Sequence, residues 1–380
     1  MPVVNAVTVL TVAFNDGSMR PGPEAENQQQ SVVISWPSVP VELVRAAELR
    51  PVIVRGGAAA TPAADVHLSD AVFPNRIRQL VEAILVGRWS DAAGVVLPRT
   101  AEPDYKCFLY LRELARRGRV QQPVPVLLFD LLQSTGREVA AHNAGRTRAL
   151  FAALGAAGGN LSIDRLAEEI TRANAARAAL RRLVALRGGS PRITGADVLP
   201  LIGAFWQLQP EVYAPLATAA ADDIARRAPL DGPRVLLVGA PVDGPALHAA
   251  IEAHGAVVVA ETGPWGVDAA GEDVAGGADL FSAIAEKYRR DAWGPRTSIG
   301  DVRRWITRRL ADSDAVVVSL PPDDAVFGWD YPWLRQQLQA VDVPHVRLTH
   351  DPCEPVPDAD HERLAALMRL AMPRAEARRG

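Results

Sequence analysis

Along the chain, short apolar runs alternate with longer segments whose apolar residues recur every three or four positions. Residues 31–36, 51–55, 93–97 and 124–130 are compact β-prone runs. Between them, residues 40–49, 76–86 and 105–117 carry helical periodicity. In the second of these, Ile77, Leu80, Val81 and Ile84 fall on one face. Strands separated by helices predict βαβ units around a mostly parallel sheet. The alternation stops near residue 137. From there to 187 the pattern is helical, with Ser162 as an N-cap and Asp164, Glu168 and Glu169 near the positive helix end. A second helical stretch, 196–227, is interrupted by Pro200, Pro210 and Pro215, and residues 229–233 read as a linker. The alternation then resumes. Strands are predicted over 235–238, 257–260, 315–320 and 345–348, and helices over 245–254, 277–289, 299–310, 331–339 and 360–372.

The fold class this predicts is α/β, with two open, mostly parallel Rossmann-like α/β domains flanking a helical segment. The expected divisions are an N-terminal arm over 1–30, a first α/β domain over 31–136, the helical segment over 137–230 and a second α/β domain over 231–380. Within the arm, residues 3–14 read as β-prone, and residues 17–30, with Gly, Pro and three Gln, read as a loop. Ligands of open parallel sheets bind beyond the carboxyl ends of the strands. That points to the loops after Ile34, Leu97, Val238 and Leu320.

Composition narrows the function classes. With 380 residues, 48% of them hydrophobic and 22% charged, the chain has ample material for a core and is not a disordered polymer. A net charge of −3 removes the electrostatic case for a nucleic-acid partner. Lys106 and Lys287 are the only lysines, the other 39 basic residues being Arg, which reads as a base-composition bias rather than a binding surface. No uncharged apolar run approaches the roughly 18 residues of a membrane span, and the start lacks a signal-peptide pattern. Two cysteines, Cys107 and Cys353, form neither a disulfide framework nor a four-cysteine metal site, so a cytoplasmic location is expected.

Familiar motifs fail. The 239–244 run follows a strand and precedes a helix, but Pro241 and Pro245 each remove an N–H donor that a phosphate would need, and a plain turn is expected. No P-loop or nucleophile elbow is present. His345, His350 and Cys353 lack zinc spacing, and no metal site is expected. Asp65 and His67 form a local acid–base option in a loop.

A sharper pattern lies in a set of spaced blocks. Pro40, Glu42 and Leu43 are followed by Ala46 and Ala47, Pro51 and Val52, and Gly56. Residues 161–166, then Asn174 and Arg177, then Arg192 through Gly195 form a middle block. Arg303, the 315–318 run, Trp329 through Pro332 with Leu334, and then Pro344 and Asp351 form a late one. Together, over about residues 31–372, this resembles the benzoyl-CoA reductase/2-hydroxyacyl-CoA dehydratase family, with Glu48 where that family usually has Gly. The resemblance implies an iron–sulfur enzyme subunit. Such subunits hold a [4Fe–4S] cluster between α/β domains through three cysteines, pair as heterodimers and receive an electron from an ATP-dependent activator. The electron passes to a CoA-thioester carbonyl, which permits loss of a hydroxyl or reduction of an aromatic ring.

The sequence departs from the family at the cluster. Phe73, Ala101 and Asp324 stand at the three ligand positions, and iron–sulfur clusters need thiolates. No cofactor is therefore expected in this chain, and a [4Fe–4S] cluster is expected in a partner. Phe73 is read as an aromatic filling the space a cluster would occupy. Three functional readings follow. The first is a non-cluster subunit that pairs with a cluster-bearing paralogue in acyl-CoA dehydration or reduction. The second is a cluster-free, acyl-CoA-binding enzyme doing redox-neutral chemistry, with Glu42, Glu102, Asp324 and His350 as acid–base groups. The third is a non-catalytic scaffold that binds a small ligand. Trp36, Pro40 and Trp329 are the candidate substrate-binding residues. No nucleic-acid or membrane partner is expected.

Overall fold

The computed structural model describes residues 5–16, 29–57, 59–99, 102–120, 122–290, 298–322, 324 and 327–379. Helix α1 (Ala6–Asp16) comes first. The first sheet unit runs β1 (Ser31–Ile34), α2 (Val41–Ala46), β2 (Arg50–Ile53), α3 (Pro62–Asp65), α4 (Asn75–Leu85), β3 (Gly94–Pro98), α5 (Glu102–Arg116) and β4 (Val126–Phe129). Four helices follow: α6 (Arg137–Ala156), α7 (Ile163–Ala185), α8 (Gly195–Gln207) and α9 (Pro210–Ala225). The second sheet unit runs β5 (Arg234–Gly239), α10 (Ala246–Glu252), β6 (Val257–Glu261), α11 (Leu280–Arg290), α12 (Ile299–Leu310), β7 (Ala315–Ser319), α13 (Phe327–Ala340), β8 (His345–Leu348) and α14 (Asp358–Arg379).

Both sheets are four-stranded and wholly parallel, as the alternating pattern predicts. Their strand orders are β2-β1-β3-β4 and β6-β5-β7-β8, the same topology used twice. Val33 pairs with Val52 on one side and Val95 on the other, and Leu237 pairs with Glu261 and Val317. Every residue of β3 and β7 is buried, which is why these strands are continuous apolar runs rather than alternating ones. In each sheet the chain steps outward to one neighbour and then returns past the first strand. The topological switch points therefore lie between β1 and β3 and between β5 and β7.

The largest apolar cluster joins β1 residues Val32 and Ile34 to α2, to the helices α6–α9 and to α11. Ser162 caps α7 as expected, its hydroxyl accepting the Arg165 N–H at 3.2 Å. Pro200 and Pro215 lie inside α8 and α9 rather than ending them, since burial of an apolar helix face outweighs the loss of one donor. A second departure is the arm. The 3–14 run was expected to be β-prone on its valines and threonines, yet Ala6–Asp16 is helical. Val7, Leu10 and Phe14 fall on one helical face, Val7 and Leu10 against the large cluster and Phe14 buried against Gly203 and Trp265, and tertiary burial overrides local propensity. Of the predicted 17–30 loop, only Gln29 and Gln30 fall within the described residues.

Two buried ion pairs tie the helices to one another and to the second sheet. Glu42 on α2 pairs with Arg177 on α7 and accepts the Tyr288 hydroxyl of α11 at 2.8 Å. Arg187, just past α7, makes a two-pronged bond to Glu261 at the end of β6 and also donates to the Val258 carbonyl at 2.8 Å. Burial alone raises the pKa of each glutamate. The charges of Arg177 and Lys287 on Glu42, and of Arg187 on Glu261, outweigh it and bring both down to about 2 from an ordinary 4.5.

The sign follows from the folded values lying below the unfolded ones. The stabilisation these pairs confer is complete above pH 4.5 and drains away as pH falls toward 2. The urea midpoint is expected to drop steeply across that window, and the drop should be shallower in Glu42→Gln. Equal slopes in the two proteins would show that Glu42 is not a source of the acid sensitivity.

Candidate functional site

The carboxyl end of β1 runs into Ser35 and Trp36, at the switch point of the first sheet. Ser35 is fully buried, and its hydroxyl donates to Asp104 Oδ1 at 2.7 Å. Asp104 lies in the first turn of α5, where the helix dipole favours a carboxylate. Arg76, in the first turn of α4, grips both Asp104 oxygens at 3.2 Å each and also donates to the Ser35 carbonyl. A positive charge at a helix N-terminus is electrostatically misplaced. Here the two-pronged ion pair compensates for it. The same guanidinium lies 4.6 Å from the Trp36 ring centroid. One buried network thus fixes the β1 loop and the N-termini of two helices.

Facing it is the loop after β5. Gly239 has φ 124°, and a side chain there would drive into the Ser319 carbonyl of β7, so only glycine lets the chain turn at this switch point. The 239–244 run is a turn leading into α10, as expected. Its Asp243 is buried and reaches the first sheet unit: Oδ2 accepts the Gly56 N–H at 2.8 Å, and Oδ1 accepts the Trp265 indole N–H at 3.1 Å. Burial pushes the Asp243 pKa up, opposed by Arg76, the Gly56 N–H, Arg55 and Trp265. Asn75, the first residue of α4, accepts the Gly57 N–H at 2.9 Å. A methyl group at Gly56 would sit 2.7 Å from Cys353 Sγ, 3.0 Å from Asp243 Oδ2 and 3.1 Å from Asn75 Oδ1. The loops at the carboxyl ends of both sheets therefore meet at Gly56, with a thiol, a carboxylate and an amide around one α-carbon.

A family model described as 2-hydroxyglutaryl-CoA dehydratase, D-component, matches residues 38–368. The chain belongs to that family. No curated protein matches the chain. The matched span of this dehydratase-family chain runs from just before α2 into α14, and leaves out α1 and β1.

The residues singled out from the sequence fall in different places. Trp36 and Pro40 are buried in the β1–α2 connection, Trp36 within the Arg76 network and Pro40 at the start of α2. Glu42 is wholly buried in its pair with Arg177. Asp324 accepts the Phe327 N–H at 2.7 Å at the start of α13. Past β8, His350 Nδ1 lies 2.8 Å from Asp360 Oδ2, while its Nε2 is buried without a partner among the described residues. Trp329 is 87% exposed on α13. Asp65 bonds Arg78 and Thr61. Phe73 is buried just before α4, its ring edge-on to Tyr110 at 5.2 Å. Ala101 lies outside the described residues. Cys107 is buried in α5 of the first unit, and Cys353 lies past β8 in the second. Burial first, and neighbouring carboxylates second, hold both thiols well above the ordinary range. Among the described residues, no group of three or more His, Cys, Asp or Glu side chains is placed to hold a metal ion. No helix there is long and apolar enough to cross a membrane.

Sequence reasoning did not single out Arg76, Asp104, Asp243 or Trp265. Asp243 carried one signal, its place in the turn after a strand, and Arg76 another, its charge at the wrong helix end.

Arg76→Ala would leave Asp104 as an uncompensated buried carboxylate, with an expected loss of about 3–5 kcal/mol in urea unfolding. Arg76→Lys keeps the charge without the fork and should lose less. A loss in Arg76→Ala below about 1 kcal/mol, the level of an exposed pair, would show that the network does not hold the loop.

Proposed function

We propose that this chain is a subunit of a 2-hydroxyacyl-CoA dehydratase-type enzyme that carries no cluster itself and pairs with a cluster-bearing paralogue. The reaction class is loss of water from a 2-hydroxyacyl thioester, which is redox-neutral overall: a C–O and a C–H bond are lost and a C=C bond is gained. Family membership supports the dehydratase reading. The observation that carries the cluster-free part is Phe73, a buried ring at the position where the resemblance puts the first thiolate. The two thiols do not fit the family's ligand set. They lie in different sheet units, and their surroundings disfavour the thiolate form that iron requires. No step of the chemistry is therefore assigned to a cluster in this chain. Its own contribution is to shape and close the crevice at the carboxyl ends of β1 and β5. There the Arg76 network holds Trp36 in place, and Asp243 joins the two loops.

The acid–base alternative draws little from the geometry. Glu42 is held ionised inside a closed ion pair, the state of a structural anchor rather than of a group exchanging protons with a ligand. The exposed indole of Trp329 suits an interface with a partner chain.

Iron and acid-labile sulfide analysis tests the reading, on protein purified anaerobically alone and after coexpression with its genomic neighbours. The expected result is no iron in the isolated chain and a brown complex containing a second, three-cysteine family member that dehydrates a 2-hydroxyacyl-CoA. About four iron atoms per isolated chain would overturn the cluster-free assignment. A colourless protein in both preparations would overturn the subunit reading.

A further inference from the structure

We propose that α1 is a strap that holds shut the junction between the two sheets at Asp243. The helix precedes the first sheet and adds no strand to either sheet. It is nevertheless seated as deeply as the core, with Leu10 at 0% and Phe14 at 1% exposure. The Phe14 ring occupies a socket in α8 that exists because residue 203 is glycine. A methyl group on Gly203 would fall 2.1 Å from one ring carbon of Phe14 and 2.2 Å from another.

From that socket Phe14 touches one residue of each loop at the junction. The Arg55 guanidinium stacks 3.6 Å from the Phe14 centroid and donates to the Phe14 carbonyl at 2.8 Å. Arg55 Nε is buried without a partner among the described residues, so α1 is what orients this side chain. Arg55 directly precedes Gly56, the donor to Asp243 Oδ2. On the other side, the Trp265 ring meets Phe14 edge-on, with centroids 6.5 Å apart, and its indole N–H is the donor to Asp243 Oδ1. Both donors that hold Asp243 are thus braced through one ring, carried by a helix outside both sheets. Unseating α1 releases Arg55 and Trp265 together, and the Gly56–Asp243 bond loses its support from both sides.

Amide hydrogen exchange on the full chain tests this. Phe14→Ala removes the ring. Gly203→Ala pushes on it from α8 and leaves that helix no weaker, since Ala is the better helix former. Both are expected to speed exchange at Gly56, Gly57 and residues 242–244 by about tenfold or more, with β3 and β7 as protected as before. Phe14→Leu keeps the apolar bulk without the face that Arg55 stacks on. It should give an intermediate increase, and it carries the test if Phe14→Ala does not fold. Faster exchange confined to α1, with Gly56 unchanged, would overturn the proposal. So would a uniform rise across both sheets, which would mark general destabilisation. The readout involves neither iron nor a CoA ester, so the strap and the subunit reading can fail separately.

Discussion

Asp243 is a carboxyl group buried where the loops of the two sheets meet, and a polar group in that position is tolerable only if its oxygens are bonded. The donors come from opposite directions, the Gly56 main chain from the first sheet unit and the Trp265 indole from the second. This requirement governs much of the surrounding structure. Gly56 must lack a side chain, because Cys353, Asp243 and Asn75 crowd its α-carbon. Asn75 must open α4 so that its amide oxygen can take the next N–H. Arg76 follows directly, and with Asp104 it fixes the β1 loop at Ser35. The two uses of one strand order are thereby set with their carboxyl ends toward a common point.

The parallel sheets could be read from the chain because strands buried on both faces have to be continuous apolar runs, and β3 and β7 are just that. Helices α4 and α12 were equally readable, since each carries a single apolar face. Helix α1 was not. Its valines and threonines favour a strand locally, and the face formed by Val7, Leu10 and Phe14 acquires meaning only against a glycine socket almost 200 residues away in sequence. Distant complementarity of this kind leaves no periodic trace at either end.

The site shows the same division. The spaced blocks from Pro40 to Asp351 carried the family, because a family pattern is a property of order and spacing. The polar network was invisible by comparison. Arg76 and Asp104 are 28 positions apart and Gly56 and Asp243 are 187 apart, so only the fold makes them partners. Glu42 illustrates the reverse error of emphasis. It stands out in the sequence as a block residue with acid–base chemistry, yet its surroundings close over it and assign it to Arg177 and Tyr288. A charged residue in a recurring block is as consistent with anchoring the fold as with turnover, and burial is what separates the two.

Phe73 brings these strands together. A small residue at this position would leave a void, with a cost that grows with its volume, or a pocket for water. An aromatic ring packed edge-on against Tyr110 avoids both. The ring also has a consequence for its neighbours: it packs apolar surface immediately before Pro74, Asn75 and Arg76, the residues that open α4 and hold the Gly57 and Ser35 loops. A cysteine there would remove that packing. Phe73 thus stabilises the start of α4, and with it the Arg76–Asp104 network that holds the end of β1.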